Sequence, residues 1–66
     1  MVVEHFMVTL PGDLCDNLTD LANHAIDEAR EMAETFKMPC NWGATLVKGE
    51  VGDFEVEFKV TRVSNA

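Results

Sequence analysis

Apolar and polar residues alternate in two stretches of this chain. From Val2 to Leu10, β-branched and aromatic residues predominate, and this alternation predicts a strand. A second alternation, FEVEFKVTRV, begins at residue 54 and predicts a strand with less ambiguity than any other stretch of the chain. The side chains expected to face the core from these two strands are Phe6, Val8, Leu10, Phe54, Val56, Phe58 and Val60.

Between these stretches, residues 14–37 carry apolar side chains every three or four positions. At about 100° per residue they fall in one arc, which predicts an amphipathic helix. Asp13 is the expected N-cap. Lys37 and then Met38-Pro39 are expected to end the helix, because the residue before a proline is pushed out of helical conformations. The predicted core side of the helix consists of Leu14, Leu18, Leu21, Ala22, Ala25, Ile26, Ala29, Met32, Ala33 and Phe36.

The remaining stretch, Trp42 to Lys48, predicts a shorter strand, and the two glycines within residues 49–53 indicate a hairpin connection. The predicted order is therefore β-α-β-β, as a single α+β domain over residues 1–66. One amphipathic helix laid on a three-stranded, mainly antiparallel sheet would bury both apolar surfaces. We prefer strand order 1-3-2 over 1-2-3, because a central third strand makes every neighbour antiparallel.

The net charge of −7 and the pI near 4.4 argue against nucleic acid or an anionic membrane as a direct partner. No apolar run approaches the roughly 20 residues of a membrane span, and the start of the chain does not have the pattern of a signal peptide. We therefore expect a soluble cytoplasmic protein. The predicted helix separates Cys15 from Cys40 by about 35 Å, too far for a disulfide, so two free thiols are expected.

The acidic residues of the predicted helix form one row, within about 60° of one another and opposite the apolar arc. Like charges four residues apart cost a few tenths of a kcal/mol each, so the row gives up some helix stability. It is either a solvated surface that keeps a small protein soluble or a binding surface for a basic site on another protein, such as a site that holds nucleic acid. The row consists of Asp16, Asp20, Asp27, Glu31 and Glu34.

A second candidate interface lies on the side of the sheet that a single helix leaves uncovered. The alternation leaves Val3, Met7, Val47 and Val63 there, with Trp42 expected nearby. Scattered exposed apolar residues are ordinary, but a contiguous patch would form a homodimer or partner surface. The edge strands offer a second route to self-association, by addition of a strand.

Residue types that carry catalysis or bind cofactors do not form a recognisable motif. There is no glycine-rich phosphate loop, nucleophile elbow or CxxC pair, so we expect no enzyme activity, no metal and no cofactor. His24 lies four residues from both Asp20 and Glu28, where it is either an ordinary exposed histidine or part of a weak metal site.

In size, charge and lack of catalytic residues the chain resembles the small acidic inhibitors and anti-defence proteins that bacteriophages encode against host polymerases, nucleases or CRISPR complexes. The resemblance is one of gross character and extends to no motif. It implies an inhibitor or regulator that binds a basic protein surface, and it transfers no residue. The alternative is a structural or assembly subunit that self-associates through the open side or the edge of its sheet.

Overall fold

A computed structural model describes residues 2–33 and 40–64 of the chain. Its elements, in chain order, are strand β1 (Val2–Leu10), helix α1 (Leu18–Ala33), strand β2 (Cys40–Lys48) and strand β3 (Val56–Ser64). The strands form one sheet in the order β1-β3-β2, and both neighbouring pairs are antiparallel. The predicted α+β architecture and the preferred order 1-3-2 are confirmed.

The register of the sheet is regular on one side of β3 and shifted on the other. β1 pairs with β3 without interruption, from Val2 opposite Ser64 to Leu10 opposite Val56. On the other side, the β2 pairing shifts between Leu46 and Lys48, so that Val47 is an extra residue in a bulge. Such a bulge twists an edge strand and makes it a poorer template for another strand.

The core lies between α1 and the near side of the sheet, as the two periodicities predict. Small residues, Ala25 and Ala29, let the helix backbone lie close to the strands. Each large apolar side chain that is fully buried contributes about 1.5–3 kcal/mol. The buried apolar residues are Val8, Leu10, Leu21, Ala25, Ala29, Val56, Phe58 and Val60, with Phe6, Cys15, Ala22, Ile26, Trp42 and Ala44 packed against them.

The helix begins four residues later than the sequence pattern predicts, and Asp13 is not its N-cap. Asn17 is the N-cap instead, because its Oδ1 accepts a hydrogen bond from the backbone N–H of Asp20 at 2.9 Å. The Asn17 carbonyl accepts the first helical bond, from Leu21 N at 3.3 Å. Before this point the chain turns, with Leu14 N bonded to Pro11 O at 3.2 Å, and Leu14 is 49% exposed. The predicted end of the helix at residues 37–39 lies outside the described residues.

The third strand begins at Val56, two residues later than predicted, and the placement of Phe54 in the core was wrong. Phe54 is 94% exposed. The connection from β2 to β3 spans residues 49–55, and both of its glycines have left-handed backbone, with φ of 94° at Gly49 and 93° at Gly52. These turns interrupt the strand alternation, so the parity of β3 does not extend back to Phe54.

The turn between β1 and α1 is packed against the β2–β3 hairpin at one end of the molecule. Gly52 donates a backbone hydrogen bond to the carbonyl of Gly12 at 2.8 Å. A Cβ atom at Gly12 would lie 2.4 Å from the carbonyl oxygen of Asp53, so only glycine fits this approach. Within the hairpin, Asp53 N bonds to Glu50 O at 3.1 Å, and Glu50 N bonds to the Asp53 carboxylate at 2.9 Å.

The opposite end of the sheet buries a charge that the sequence analysis did not single out. The alternation of β3 continues inward to Arg62, which is 8% exposed and forms an ion pair with Glu4 on β1. Its guanidinium carbon lies 5.8 Å from the ring centre of Trp42 on β2, within the range of a cation–π contact. None of the helices described within residues 2–33 and 40–64 is long and apolar enough to cross a membrane.

Candidate protein-binding surfaces

Three residues of the predicted acidic row, Asp20, Asp27 and Glu31, lie on helix α1 and are exposed. We call these three residues the acidic helix face. At 3.6 residues per turn they fall within about 40° of one another, opposite the buried Leu21, Ala25 and Ala29. Their separations along the helix axis are about 10 Å and 6 Å. The three carboxylates therefore share one side of the molecule.

The two outer members of the predicted row have different outcomes. Asp16 is exposed but lies in the turn before the helix, so it does not belong to the helical row; the Asn17 cap starts the helix after it. Glu34 lies outside the described residues.

No basic side chain neutralises the acidic helix face within the described part of the chain. Among residues 2–33 and 40–64, neither Asp27 nor Glu31 has an ion-pair or hydrogen-bond partner. The Asp20 carboxylate accepts only the side-chain N–H of Asn17, at 3.2 Å. Arg30, the one Arg or Lys of the helix as described, points about 60° or more away from these acids. The three carboxylates are thus exposed on the surface and available to a cationic partner.

The side of the sheet away from the helix carries Val3, Met7 and Val63, which we call the open face. Val47, also predicted there, is the exposed bulge residue of β2, and the strand register does not assign it to either side. Val3 lies directly opposite Val63 in the β1–β3 pairing, and Met7 is 52% exposed. Polar residues separate these apolar groups; among them, His5 and Thr61 share a hydrogen bond of 3.2 Å. The surface is mixed in character, and its apolar side chains are only partly contiguous.

Trp42 does not belong to this open face, and the expectation that it lies near it was wrong. Trp42 pairs with Arg62 in the sheet register, so its side chain shares the helix side with that buried residue. Its ring centre lies 6.1 Å from that of Phe6, with the planes tilted by 31°. This tryptophan is part of the structural packing around the Glu4–Arg62 ion pair.

A third surface, which the sequence analysis missed, is the hairpin tip, residues 50–55. Phe54 projects from it beside an open cleft of about 590 Å³. Carboxylates surround the cleft, and its lining residues are Thr9, Leu10, Pro11, Asp13, Gly52, Asp53, Phe54 and Glu55. The glycines at 49 and 52 were the signal in the sequence, because two left-handed turns next to a predicted strand break the parity on which the placement of Phe54 depended.

The Cys15 thiol is half-buried and free. Desolvation raises its pKa above the ordinary value, and the nearby carboxylates of Asp20 and Asp16 raise it further. A thiol held in its neutral form is a poor nucleophile and a poor metal ligand. The described residues bring together no group of three His, Cys, Asp or Glu side chains that could hold a metal ion, so the arrangement of His24 with Asp20 and Glu28 as ligands is not formed.

Comparison of the chain with family models, with curated proteins and with solved structures finds no match.

Proposed function

We propose that this protein is a non-enzymatic inhibitor or regulator that docks its acidic helix face on a basic surface of another protein in the cytoplasm. The observation that carries the proposal is the placement of Asp20, Asp27 and Glu31 on one exposed side of the helix, with no base among the described residues neutralising them. Fixed charges on a rigid helix steer a cationic partner over distances up to the Debye length, about 8–10 Å at physiological ionic strength.

A protein site that normally holds nucleic acid is the kind of basic surface that such a row suits. The carboxylates are spaced along a straight axis at about 6 and 10 Å, and a groove lined by Lys and Arg for phosphates would meet them with the same charges. Occupation of that groove would block the nucleic acid, so binding alone would inhibit. No catalytic group is required.

The test compares two double variants that change the net charge equally. Asp27→Asn/Glu31→Gln and Asn41→Lys/Thr45→Lys each raise the net charge of −7 by two units, one on the helix face and the other on exposed positions of β2. Polypeptides retained by the immobilised wild type from a bacterial lysate at low salt should be lost at high salt. They should bind the helix variant about 5- to 30-fold more weakly, as expected for two charges worth ~0.5–1 kcal/mol each, and bind the β2 variant as wild type.

Equal binding by both variants would show that overall charge, or nothing on the helix, controls the interaction. Retention that does not weaken with salt would contradict the proposal in the same way, because contacts between exposed charges are screened.

The open face supports a second candidate, a subunit that associates with another copy of itself. Val3 and Met7 are 47% and 52% exposed on the uncovered side of the sheet, and the central strand presents both Glu57 and Lys59 there, charges that a two-fold partner could pair. Light scattering on the purified protein discriminates the two: a dimer broken by Asn41→Lys/Thr45→Lys and indifferent to the helix variant supports self-association.

A further inference from the structure

Phe54 is the most exposed large apolar residue in the part of the chain that the structure describes. It is 94% exposed, whereas the next, Met32, is 55% exposed. An aromatic side chain buries 150–250 Å² when it is enclosed, so burial of Phe54 in the core would have contributed a few kcal/mol. A residue of this type at the centre of an interface often supplies a large part of the binding energy.

The backbone that presents Phe54 is fixed rather than loose. The turn from Glu50 to Asp53 is closed by two hydrogen bonds, of 3.1 Å between backbone atoms and 2.9 Å to the Asp53 carboxylate. Gly12 packs against this turn and accepts a bond from Gly52 at 2.8 Å. Because the loop is already ordered, little backbone entropy remains to be lost when Phe54 is enclosed by a partner.

The surroundings of Phe54 define the charge of that partner. β1 ends, α1 begins and the hairpin turns at the same end of the antiparallel fold, and this end gathers carboxylates. Lys48 is the single base that the topology brings there among residues 2–33 and 40–64. Docking of two copies through this end would oppose like charges, which disfavours self-association and favours a basic partner. The carboxylates are Asp13, Asp16, Asp20, Glu50, Asp53 and Glu55.

We infer that the hairpin tip is a second contact of the interface proposed above, with Phe54 inserted into an apolar pocket bordered by Arg or Lys on the partner protein. The cleft beside Phe54 receives one of those basic side chains. Its apolar stem packs on Leu10 and Pro11, and its charged group reaches Asp13, Asp53 or Glu55, which line the same cleft. The inference rests on the proposed function, and it adds an apolar anchor to an interface that charge alone would leave weak.

The experiment uses the full chain with the photo-crosslinking residue p-benzoylphenylalanine at position 54 or, as a control, at the exposed position Thr45. The probe is the set of polypeptides that the wild type retains from a low-salt bacterial lysate. We expect position 54, and not position 45, to crosslink to one polypeptide, at a peptide in which apolar residues are flanked by Arg or Lys. Binding of that purified polypeptide should weaken at least tenfold with Phe54→Ala and less than threefold with Phe54→Trp, which keeps an aromatic ring.

Binding by Phe54→Ala within twofold of wild type would overturn the inference, as would equal crosslinking from both positions or a crosslink between two copies of this chain. The proposed function fails separately, when Asp27→Asn/Glu31→Gln binds as wild type. Loss of binding in that variant together with undiminished binding of Phe54→Ala would leave the acidic helix face as the interface and remove the hairpin tip from it. A lysate that yields no retained polypeptide overturns both.

Discussion

Replacement of Gly12 by alanine should destabilise the protein, whereas the same change at Gly43 should stabilise it slightly. A Cβ at Gly12 would lie 2.4 Å from Asp53 O, 2.9 Å from Asp53 N and 2.9 Å from Glu50 O. The first distance is about 1 Å inside ordinary contact, and all three neighbours are backbone atoms that cannot swing aside. At Gly43 on β2 a Cβ would meet nothing within 4 Å.

The expected magnitudes follow from these distances. Overpacking of this kind costs about 1–3 kcal/mol, because the hairpin must retreat and weaken its bond from Gly52 to Gly12. Alanine also reduces the entropy of the unfolded chain and returns about 0.4–1 kcal/mol, which is the whole effect expected at Gly43. Gly12→Ala should therefore lose roughly 1–2 kcal/mol, or about 4–16 °C in Tm for a domain of this size, and Gly43→Ala should gain a few degrees.

Urea unfolding followed by the fluorescence of Trp42 measures both variants. Trp42 is the only tryptophan and is half-buried against Phe6, so its emission reports loss of the core. Because Trp42 is next to Gly43 in the sequence, its fluorescence could respond directly to Gly43→Ala. Far-UV circular dichroism provides a second signal of unfolding that does not depend on Trp42. Equal midpoints for the two variants, with unchanged slopes, would refute the close packing of the turn on the hairpin.

Three further outcomes are expected. Asn17→Ala should lose about 1 kcal/mol of unfolding free energy through the missing helix cap, while Asp13→Ala changes it by less than about 0.5 kcal/mol; the reverse order in thermal denaturation would restore Asp13 as the cap. Glu4→Gln should lose about 1–2 kcal/mol in urea titrations, because it removes the charge of the Glu4 carboxylate from beside the buried guanidinium of Arg62, a cost reduced by the 41% exposure of the Glu4 side chain. An unchanged midpoint would mean that the pair contributes no stability. The raised pKa of the Cys15 thiol should slow its alkylation by iodoacetamide at pH 8 relative to the urea-unfolded chain, measured by mass spectrometry of the Cys15 peptide. By the same linkage, the stability from this thiol is complete below its unfolded pKa and is lost as pH rises through the higher folded value; native alkylation as fast as unfolded would contradict the shift.

Topology could be predicted from the sequence because two physical patterns agreed. Alternation fixes which side of a strand faces the core, and the 3.6-residue period fixes which side of a helix does. With β3 in the centre, both of its neighbours, β1 and β2, are antiparallel to it, which gives the observed order β1-β3-β2. The same alternation places Arg62 on the buried side of β3. The sequence does not indicate, however, that Glu4 is the residue that pairs with it.

The errors fall where local rules compete. Both Asp13 and Asn17 are good N-cap residues, and the apolar period extends back to Leu14, so the pattern alone favours the earlier start. The packing of Gly12 against the hairpin decides the matter, because it holds the chain in a turn through Leu14 before the helix can begin. Contacts between segments some 40 residues apart leave no mark in local periodicity.

Among the candidate surfaces, the residue positions predicted within the helix agree with the structure, whereas those predicted for residues that lie in loops do not. Asp20, Asp27 and Glu31 stay together because helical geometry is regular, whereas Asp16 was lost from the row when the helix began later. Phe54 moved from the predicted core to the surface for the same type of reason. Its parity was counted through a strand that two left-handed glycines had already ended.

The cost of exposing Phe54 is large in a protein of this size. A domain of 66 residues is stable by about 3–10 kcal/mol, so an aromatic ring in water forgoes a sizeable part of what the core could hold. Three glycines support this same hairpin: Gly12 packs closely against it, and Gly49 and Gly52 form its left-handed turns. A connection needed only to join β2 to β3 would be served by a two-residue turn with polar side chains. The ordered backbone, the exposed ring and the surrounding carboxylates are instead the features expected of a surface that binds an apolar, basic site.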